Sequence, residues 1–241
     1  MNKNEALREL FNEWETRHRG LGKKQFIVDG FVDEGEWNKS ELKICFLLKE
    51  SYFDLEEYKK DLLMPNQNNI KHHWNNHIKD QDGMCIYNLV EHLKEHRPWF
   101  MWCRVEEWLK SIFGLWGMDS ADPIHKIAII NIKKSDGEHR SNGNDILQYA
   151  RDDGDLIKRE LEIIDPDVVI CGGTYGYCVR EGLFDDLQII DKVDKFNGRI
   201  IAKSGKRIVV DCYHPAYSIS YDRMDDYFAN ILPYIKKSDR R

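Results

Sequence analysis

Several features that mark special classes of protein are missing from this sequence. Its 241 residues include six cysteines, but no two of them form a Cys-x-x-Cys pair, which argues against a disulfide framework or an iron–sulfur cluster. No apolar run approaches the roughly 18 residues that a membrane span requires, and no apolar signal region follows the first residues. No linker rich in proline, glycine or serine divides the chain, and it has no internal repeat. We therefore expect a single cytoplasmic domain over residues 1–241 that does not enter a membrane.

An excess of positive charge is also missing. The chain has 36 basic and 42 acidic residues, which gives a net charge of −6 and argues against a general nucleic-acid coat. The distribution is uneven, because residues 192–207 contain six basic residues and one acid. Such a local basic rim is compatible with phosphate contacts, although a solvated surface of mixed charge explains any single cluster equally well.

The sequence does contain short apolar runs, rich in β-branched residues and bounded by polar ones. Runs of this kind are typical of buried strands, and we assign strands to residues 43–48, 126–132, 167–171 and 206–212. Helical patterns separate them, which predicts right-handed crossovers and a mainly parallel sheet. The predicted fold class is α/β, with a central four-stranded sheet between two helical layers, a three-layer α/β/α arrangement.

Helical and irregular segments account for most of the remaining chain. An apolar stripe over residues 5–19 predicts a first helix, and residues 1–42 together form an N-terminal extension. Residues 66–118 form a tryptophan-rich insertion that starts as a polar loop over residues 66–82 and continues as helix. A tight turn at Ser204-Gly205 predicts a hairpin before the last strand. Further helices are predicted over residues 54–63, 86–93, 105–112 and 145–164, the last with a break near Gly154, and at the end of the chain.

Three predicted strands end in residues that carry chemistry. Lys49-Glu50-Ser51-Tyr52 follows the first strand, Asn131 closes the second, and His214-Pro215-Ala216-Tyr217 follows the last. In an open parallel sheet, ligands bind outside the carboxyl ends of the strands. A carboxylate, an amide and an imidazole therefore converge on one cleft, where they can break a bond and read a base.

These three motifs, in this order over about residues 43–220, resemble those of the uracil-DNA glycosylase superfamily. The resemblance implies that Glu50 activates water and that His214 is the catalytic histidine. It also implies that Asn131 hydrogen-bonds the extruded base and that Tyr52 shapes the base pocket. Lys49 stands where the family has glutamine or glutamate, so uracil is not the only candidate base.

The activity implied by this resemblance is that of a monofunctional DNA glycosylase that needs no cofactor. It hydrolyses the N-glycosidic bond of a flipped-out noncanonical base and leaves an abasic site in DNA. The base is uracil or a modified pyrimidine, such as a hypermodified cytosine of phage DNA, and the role is accordingly DNA repair or antiviral defence. DNA is the expected partner, and no obligate protein partner is evident.

Other residues are expected to support binding around this cleft. Tyr217 stands where family members carry a residue that wedges into the duplex, and Thr174 belongs to a Gly-Gly-Thr-Tyr-Gly turn that lines the cleft in the family. Ser51 and Ser218 are expected to hold phosphates, and Lys133 and Lys134 are expected to contact the DNA backbone. Lys49 is expected to bind the substrate as a donor near the mouth of the base pocket.

Two other function classes remain open. A module that keeps this fold but only binds damaged DNA, modified DNA or a nucleotide is one, because the extra methylene of Glu50, relative to aspartate, moves the carboxylate by about 1 Å. A small-molecule α/β hydrolase is disfavoured by the absence of a Gly-x-Ser-x-Gly nucleophile elbow.

A histidine cluster in the polar insertion gives the sequence its one candidate metal site. His73 and His77 are four residues apart, as zinc ligands on a helix can be, and His72 is adjacent. No third ligand of the usual kind is near, so we expect no metal. The alternative is that this insertion touches the DNA or the modification on the base.

Overall fold

The computed structural model describes residues 3–23, 26–52, 77–79, 85–87, 100–115, 117, 122–137, 141–192, 199–217 and 221–238. Within these ranges the strands are β1 (Gly30–Phe31), β2 (Ile44–Tyr52), β3 (His77–Lys79), β4 (Cys85–Tyr87), β5 (Ile127–Gly137), β6 (Val168–Gly172), β7 (Gln188–Lys192), β8 (Ile200–Ser204) and β9 (Arg207–Cys212). The α-helices are α1 (Lys3–Gly20), α2 (Glu34–Lys39), α3 (Phe100–Phe113), α4 (Gly143–Asp152), α5 (Gly154–Ile164), α6 (Tyr175–Arg180) and α7 (Tyr221–Ser238), and a 3₁₀ helix spans Pro123–Lys126.

Seven of the strands form one mixed sheet in the order β1-β5-β2-β6-β9-β8-β7. The four central strands β5, β2, β6 and β9 are parallel, whereas β1, β8 and β7 add antiparallel pairs at the two edges. The predicted α/β class with a mostly parallel sheet is therefore confirmed, but the prediction of four strands is corrected to seven. β3 and β4 form a separate antiparallel pair.

Helices cover both faces of this sheet because alternate strand residues are apolar on both sides. One core joins Cys45 and Leu47 to residues of α1, α4, α5 and α6. The other joins Ile44 and Phe46 to residues of α3 and α7. No helix within the described ranges is long and apolar enough to cross a membrane.

The order of the parallel strands locates a crevice. β2 comes first along the chain, yet it lies between β5, the second parallel strand, and β6, the third. From β2 the chain passes through α3, on one face of the sheet, to β5. From β5 it passes through α4 and α5, on the other face, to β6 on the far side of β2. Ligands in such sheets bind outside the carboxyl ends of the strands at this reversal, here β2 and β6.

Some element boundaries differ from the sequence predictions. β2 and β5 extend to Tyr52 and Gly137, because their polar residues remain paired in the ladder. Ile86, predicted in a helix, lies in β4, and His77, predicted in a loop, lies in β3. β7 was not predicted because its residues are exposed and show no burial pattern. The predicted helix over residues 54–63 lies outside the described residues.

Other local predictions are confirmed. The helical segment after residue 143 breaks at Asp153, so that α4 and α5 are separate helices. The hairpin between β8 and β9 turns at Gly205, which has a positive φ of 57°.

Candidate functional site

A change of register between β2 and β5 shapes the carboxyl edge of the sheet. Glu50 pairs with Lys133, but the next residue, Ser51, pairs with Asp136. Two residues of β5, Lys134 and Ser135, are therefore extra at this point. Bulges of this kind redirect side chains and are frequent beside active sites.

Glu50 lies beside this bulge in a cluster of three charged side chains. Its Oε2 is 3.2 Å from Lys133 Nζ, which is also 2.6 Å from Asp145 Oδ2 on α4. The Glu50 side chain is 6% exposed, and its Oε1 is buried with no hydrogen-bond partner among the described residues. Burial alone would lower the pKa of Lys133, but the hydrogen bond to Asp145 and the charge of Glu50 outweigh it and raise that pKa. The carboxylate is thus fixed through one oxygen, while the other is left to accept a hydrogen bond.

His214 lies two residues beyond β9, at the start of a tight turn. The turn is closed by a 2.8 Å bond from Tyr217 N to His214 O. The Ala216 N–H donates to His214 Nδ1 at 3.2 Å, which assigns the imidazole proton to Nε2. Burial, with a smaller effect of the Lys49 charge, lowers the pKa of His214 to about 4. At neutral pH the ring is therefore uncharged, with Nε2–H as its hydrogen-bond donor.

Two glycines at the carboxyl end of β6, Gly172 and Gly173, bring the β2 end and the His214 turn together. A Cβ atom on Gly172 would lie 2.7 Å from Leu48 Cδ2 and 3.3 Å from Pro215 Cδ. Gly173 has a φ of +69°, and a Cβ there would lie 3.4 Å from His214 Cβ and 3.5 Å from Lys49 Cε. Lys49 and His214 therefore border the same glycine, and Lys49 makes no ion pair with the residues that the structure describes.

The distance across the crevice follows from the strand order. Neighbouring strands are about 4.8 Å apart, so β2 and β9, which have β6 between them, are about 10 Å apart. Glu50 and His214 thus follow from strands that lie on either side of β6.

Asn131 lies deeper in the sheet than Glu50 does. It pairs with Leu48, two residues before the Glu50–Lys133 pair. Asp29 Oδ2 accepts from its backbone N–H at 2.6 Å and from its Nδ2 at 3.0 Å. The amide is nearly fully buried and its orientation is fixed by these two bonds.

Lys134 has no exposed surface. Its ammonium lies between Asp29 and Glu160, 2.8 Å from Glu160 Oε2, and over the rings of Phe11 and Trp14. Burial alone would lower the pKa of Lys134, but the charges of the two acids outweigh it and keep that pKa raised. A contact between Lys134 and a DNA phosphate does not fit this placement, and we remove the residue from the set of DNA contacts.

Thr174 is also fully buried. Its hydroxyl donates to Leu47 O at 2.6 Å, which fastens the start of α6 to β2. The residue thus supports the wall of the crevice, and its hydroxyl is already engaged.

Tyr217 is 55% exposed at the end of the His214 turn. Its ring stacks on Tyr213 with centroids 5.7 Å apart, and Arg199 lies 4.2 Å above the Tyr213 ring. An exposed ring supported by a second ring offers a flat face next to the crevice.

The remaining predicted residues are only partly placed. Ser51 and Tyr52 are the last residues of β2, paired with Asp136 and Gly137. Ser218, His72 and His73 lie outside the described residues. Across the described ranges, no three side chains are grouped as metal ligands would be.

Three residues near these groups were not identified from the sequence: Asp29, Arg104 and Asp145. Asp29 and Arg104 act on partners more than 100 positions away, and no local pattern reveals such contacts. Asp145 lies in the first turn of α4, where an acid is ordinary for helix capping.

Comparison with known proteins assigns no family, because no family model matches the chain and no curated protein matches it.

Proposed function

We propose that this chain is a DNA glycosylase that hydrolyses the N-glycosidic bond of a flipped-out noncanonical base. The proposal depends on one juxtaposition. Glu50, whose buried Oε1 has no partner among the described residues, and His214, with a neutral ring and a proton on Nε2, follow from β2 and β9 on either side of β6. An acceptor and a donor thus lie at the edge where an open parallel sheet binds its ligand.

Glu50 supplies the acceptor for the attacking water. Cleavage of the glycosidic bond leaves the sugar with oxocarbenium-like positive charge, as in glycoside hydrolysis. Glu50 Oε1 accepts a proton from water, and its negative charge favours the sugar cation. Lys133 holds Oε2 at 3.2 Å, so the carboxylate does not have to reorient during the reaction.

His214 supplies the donor for the leaving base. Negative charge builds on a carbonyl oxygen of the base as the bond breaks, and a prepositioned N–H stabilises that charge. Because the pKa of His214 is about 4, the ring donates from Nε2 without carrying a charge of its own at pH 7.

The base must leave the DNA stack to reach these groups. Flipping costs a few kcal/mol, which stacking on an aromatic ring and hydrogen bonds to the base edge offset. The amide of Asn131 has an oxygen left to accept from a base, and Tyr52 is the candidate platform. Lys49 adds a cation at the crevice that can recognise an acceptor on a modified pyrimidine.

The strand arrangement supports the likeness to the uracil-DNA glycosylase superfamily that the sequence motifs suggest. The four parallel strands are adjacent; the carboxylate of Glu50 is near the carboxyl end of β2 and the imidazole of His214 follows β9, whereas the amide of Asn131 lies deeper, within β5. On this proposal, the antiparallel strands β1, β7 and β8 extend a glycosylase-like sheet at both edges.

The experiment is a base-excision screen. Single-stranded and duplex oligonucleotides carrying uracil, 5-hydroxymethylcytosine or larger 5-substituted cytosines are incubated with the protein, and abasic sites are detected by alkaline cleavage. Glu50→Gln and His214→Ala are compared with Glu13→Gln, an isosteric change in an exposed ion pair between α1 and Arg159 of α5.

Excision of at least one base is expected from the unmodified protein and from Glu13→Gln. Loss of the general base should lower the rate in Glu50→Gln by about 10²–10⁴-fold. Equal rates in Glu50→Gln and Glu13→Gln would remove Glu50 from the mechanism, and no abasic product from any substrate would reject the enzyme.

A second candidate is a module of the same shape that binds modified DNA without cutting it. The ion pair between Glu50 and Lys133 favours it, since the ammonium partly neutralises the charge that would stabilise the sugar cation. Retained binding of a modified oligonucleotide, with no abasic product, would support this candidate. Binding to DNA in either case should weaken steeply as salt is raised.

A further inference from the structure

Arg104 is a fully buried residue of α3 that reaches the His214 turn. Its Nη1 donates to Pro215 O at 2.7 Å and to Tyr217 O at 3.1 Å. Both carbonyls belong to the four-residue turn that begins at His214, so one guanidinium nitrogen links two of its peptide groups to a helix 111 positions earlier in the chain.

The turn is confined from two sides. On the sheet side, Pro215 Cδ lies 3.3 Å from the position that a Gly172 Cβ would take. On the helix side, Arg104 holds the carbonyls. Within the turn, the Ala216 N–H is directed at His214 Nδ1. A shift of the turn would break the bond from the Ala216 N–H to His214 Nδ1, which keeps the imidazole proton on Nε2.

The helix that carries Arg104 is itself firmly packed. Trp108, one turn further along α3, stacks on Phe228 of α7 with centroids 5.0 Å apart and planes 6° from parallel. Arg104 therefore holds the turn in place relative to the packed helices α3 and α7, and it does so without contacting the imidazole.

We propose that Arg104 is a positioning residue that fixes the tautomer and the orientation of His214. The catalytic part of this inference rests on the proposed glycosylase function, whereas the effect on the imidazole does not. A guanidinium suits the task, because its planar set of N–H groups binds two carbonyls in a fixed geometry that a single ammonium reproduces poorly.

The test compares Arg104→Lys and Arg104→Met with Trp108→Phe. Trp108→Phe changes the packing of the same helix but removes no bond to the turn, so it controls for a general loss of stability. The imidazole is observed by ¹⁵N nuclear magnetic resonance, which distinguishes a protonated Nε2 from a protonated Nδ1. Single-turnover excision is measured on the same samples, at a temperature where circular dichroism shows them folded.

Arg104→Met should mix the two tautomers and reduce the single-turnover rate by about 100-fold, as misplacements of about 1 Å do. Arg104→Lys should lie between it and the unmodified protein. Trp108→Phe should lower the melting temperature but keep both the tautomer and the rate. If Arg104→Met does not fold, the comparison of Arg104→Lys with Trp108→Phe decides.

Unchanged His214 signals in the folded Arg104 variants would overturn the proposal, as would an equal change in Trp108→Phe. If the unmodified protein excises no base, the glycosylase function fails, and the tautomer measurement alone still decides whether Arg104 positions His214.

Discussion

Two neighbouring lysines of β5 are each bound between two carboxylates, and the comparison of their surroundings separates an enclosed cluster from an open one at the edge of the sheet. Lys134 lies between Asp29 and Glu160, and all three side chains are buried. Lys133 lies between Glu50 and Asp145, and the Asp145 side chain is 40% exposed. The two clusters have the same composition, two acids and one lysine, so the difference between them is burial.

In the enclosed cluster, a second negative charge is disfavoured. Burial raises the pKa of Glu160 well above its ordinary value, although the charge of Lys134 opposes that rise. The contacts of Lys134 with both acids hold α5 and the segment before β1 against β5. In the open cluster, Asp145 is partly exposed to solvent, and Glu50 has an oxygen without a hydrogen-bond partner among the described residues. The two clusters of the same residue types thus differ in the exposure of one acid, Asp145.

The largest effect that separates the clusters is expected from Lys134→Met. Removal of one member of a buried ion pair leaves an uncompensated charge and should lower the free energy of unfolding by about 3–5 kcal/mol. Urea denaturation measures the loss.

The control for that variant is Lys206→Met, which breaks the exposed pair with Asp165. A loss of no more than about 0.5 kcal/mol is expected there, as for most surface ion pairs. If the two variants were equally stable, the enclosed cluster would not hold the fold together.

Lys133→Met should affect stability less and the reaction more. The expected destabilisation is about 2 kcal/mol, the value of a hydrogen bond to a charged group, because Asp145 can be rehydrated. Excision should fall by about 10-fold or more, since Glu50 loses the contact that fixes its Oε2. Urea denaturation and single-turnover kinetics on one preparation give both numbers. A variant with full excision would show that Lys133 has the same purely structural role as Lys134.

The smallest effect is expected from Lys49, the residue before Glu50 in β2. Burial is the main cause of the lowered pKa of His214, and the charge of Lys49 is the second cause. Arg104 contacts the carbonyls of the turn and not the ring. Lys49→Met should therefore raise the His214 pKa above about 4, yet keep it below the ordinary 6.5 because the ring remains buried. Titration of the imidazole resonances measures this, with Lys158→Met as a remote control.

The same pKa has a consequence for stability with a definite sign. The unfolded chain binds a proton at His214 near pH 6.5, whereas the folded protein binds it only near pH 4. The contribution of this residue to stability is therefore complete above pH 6.5 and is lost as the pH falls toward 4. A His214 pKa in Lys49→Met equal to that of the unmodified protein would exclude Lys49 as a neighbour of the ring.

The sequence was sufficient for the parallel strands, because buried strands are short, apolar and β-branched. It was not sufficient for where those strands stop. Asn131, predicted to close its strand, lies in the middle of β5. Glu50 and Lys133 are polar and resemble loop residues, although each remains in its strand. The exposed residues of β7 gave no alternation from which a strand could be read.

The candidate site was predictable from the sequence only for residues that act close to the strand that carries them. Lys133 and Lys134 are identical in type and adjacent in sequence, so the sequence analysis assigned both to DNA binding. Their surroundings differ because of the bulge in β5 and because of Asp29, which is 105 positions from Lys134. Contacts over that distance depend on the packing of the whole domain.

Gly172 and Gly173 set limits on how this protein can vary in evolution. A methyl group at Gly172 would press on the proline ring after His214, and the positive φ of Gly173 disfavours any other residue. Distant homologues that retain the chemistry should therefore keep this pair even where helices and edge strands have diverged. A glycine doublet at the end of the third parallel strand, with a His-Pro after the fourth, is thus a search pattern for related proteins that overall identity would miss.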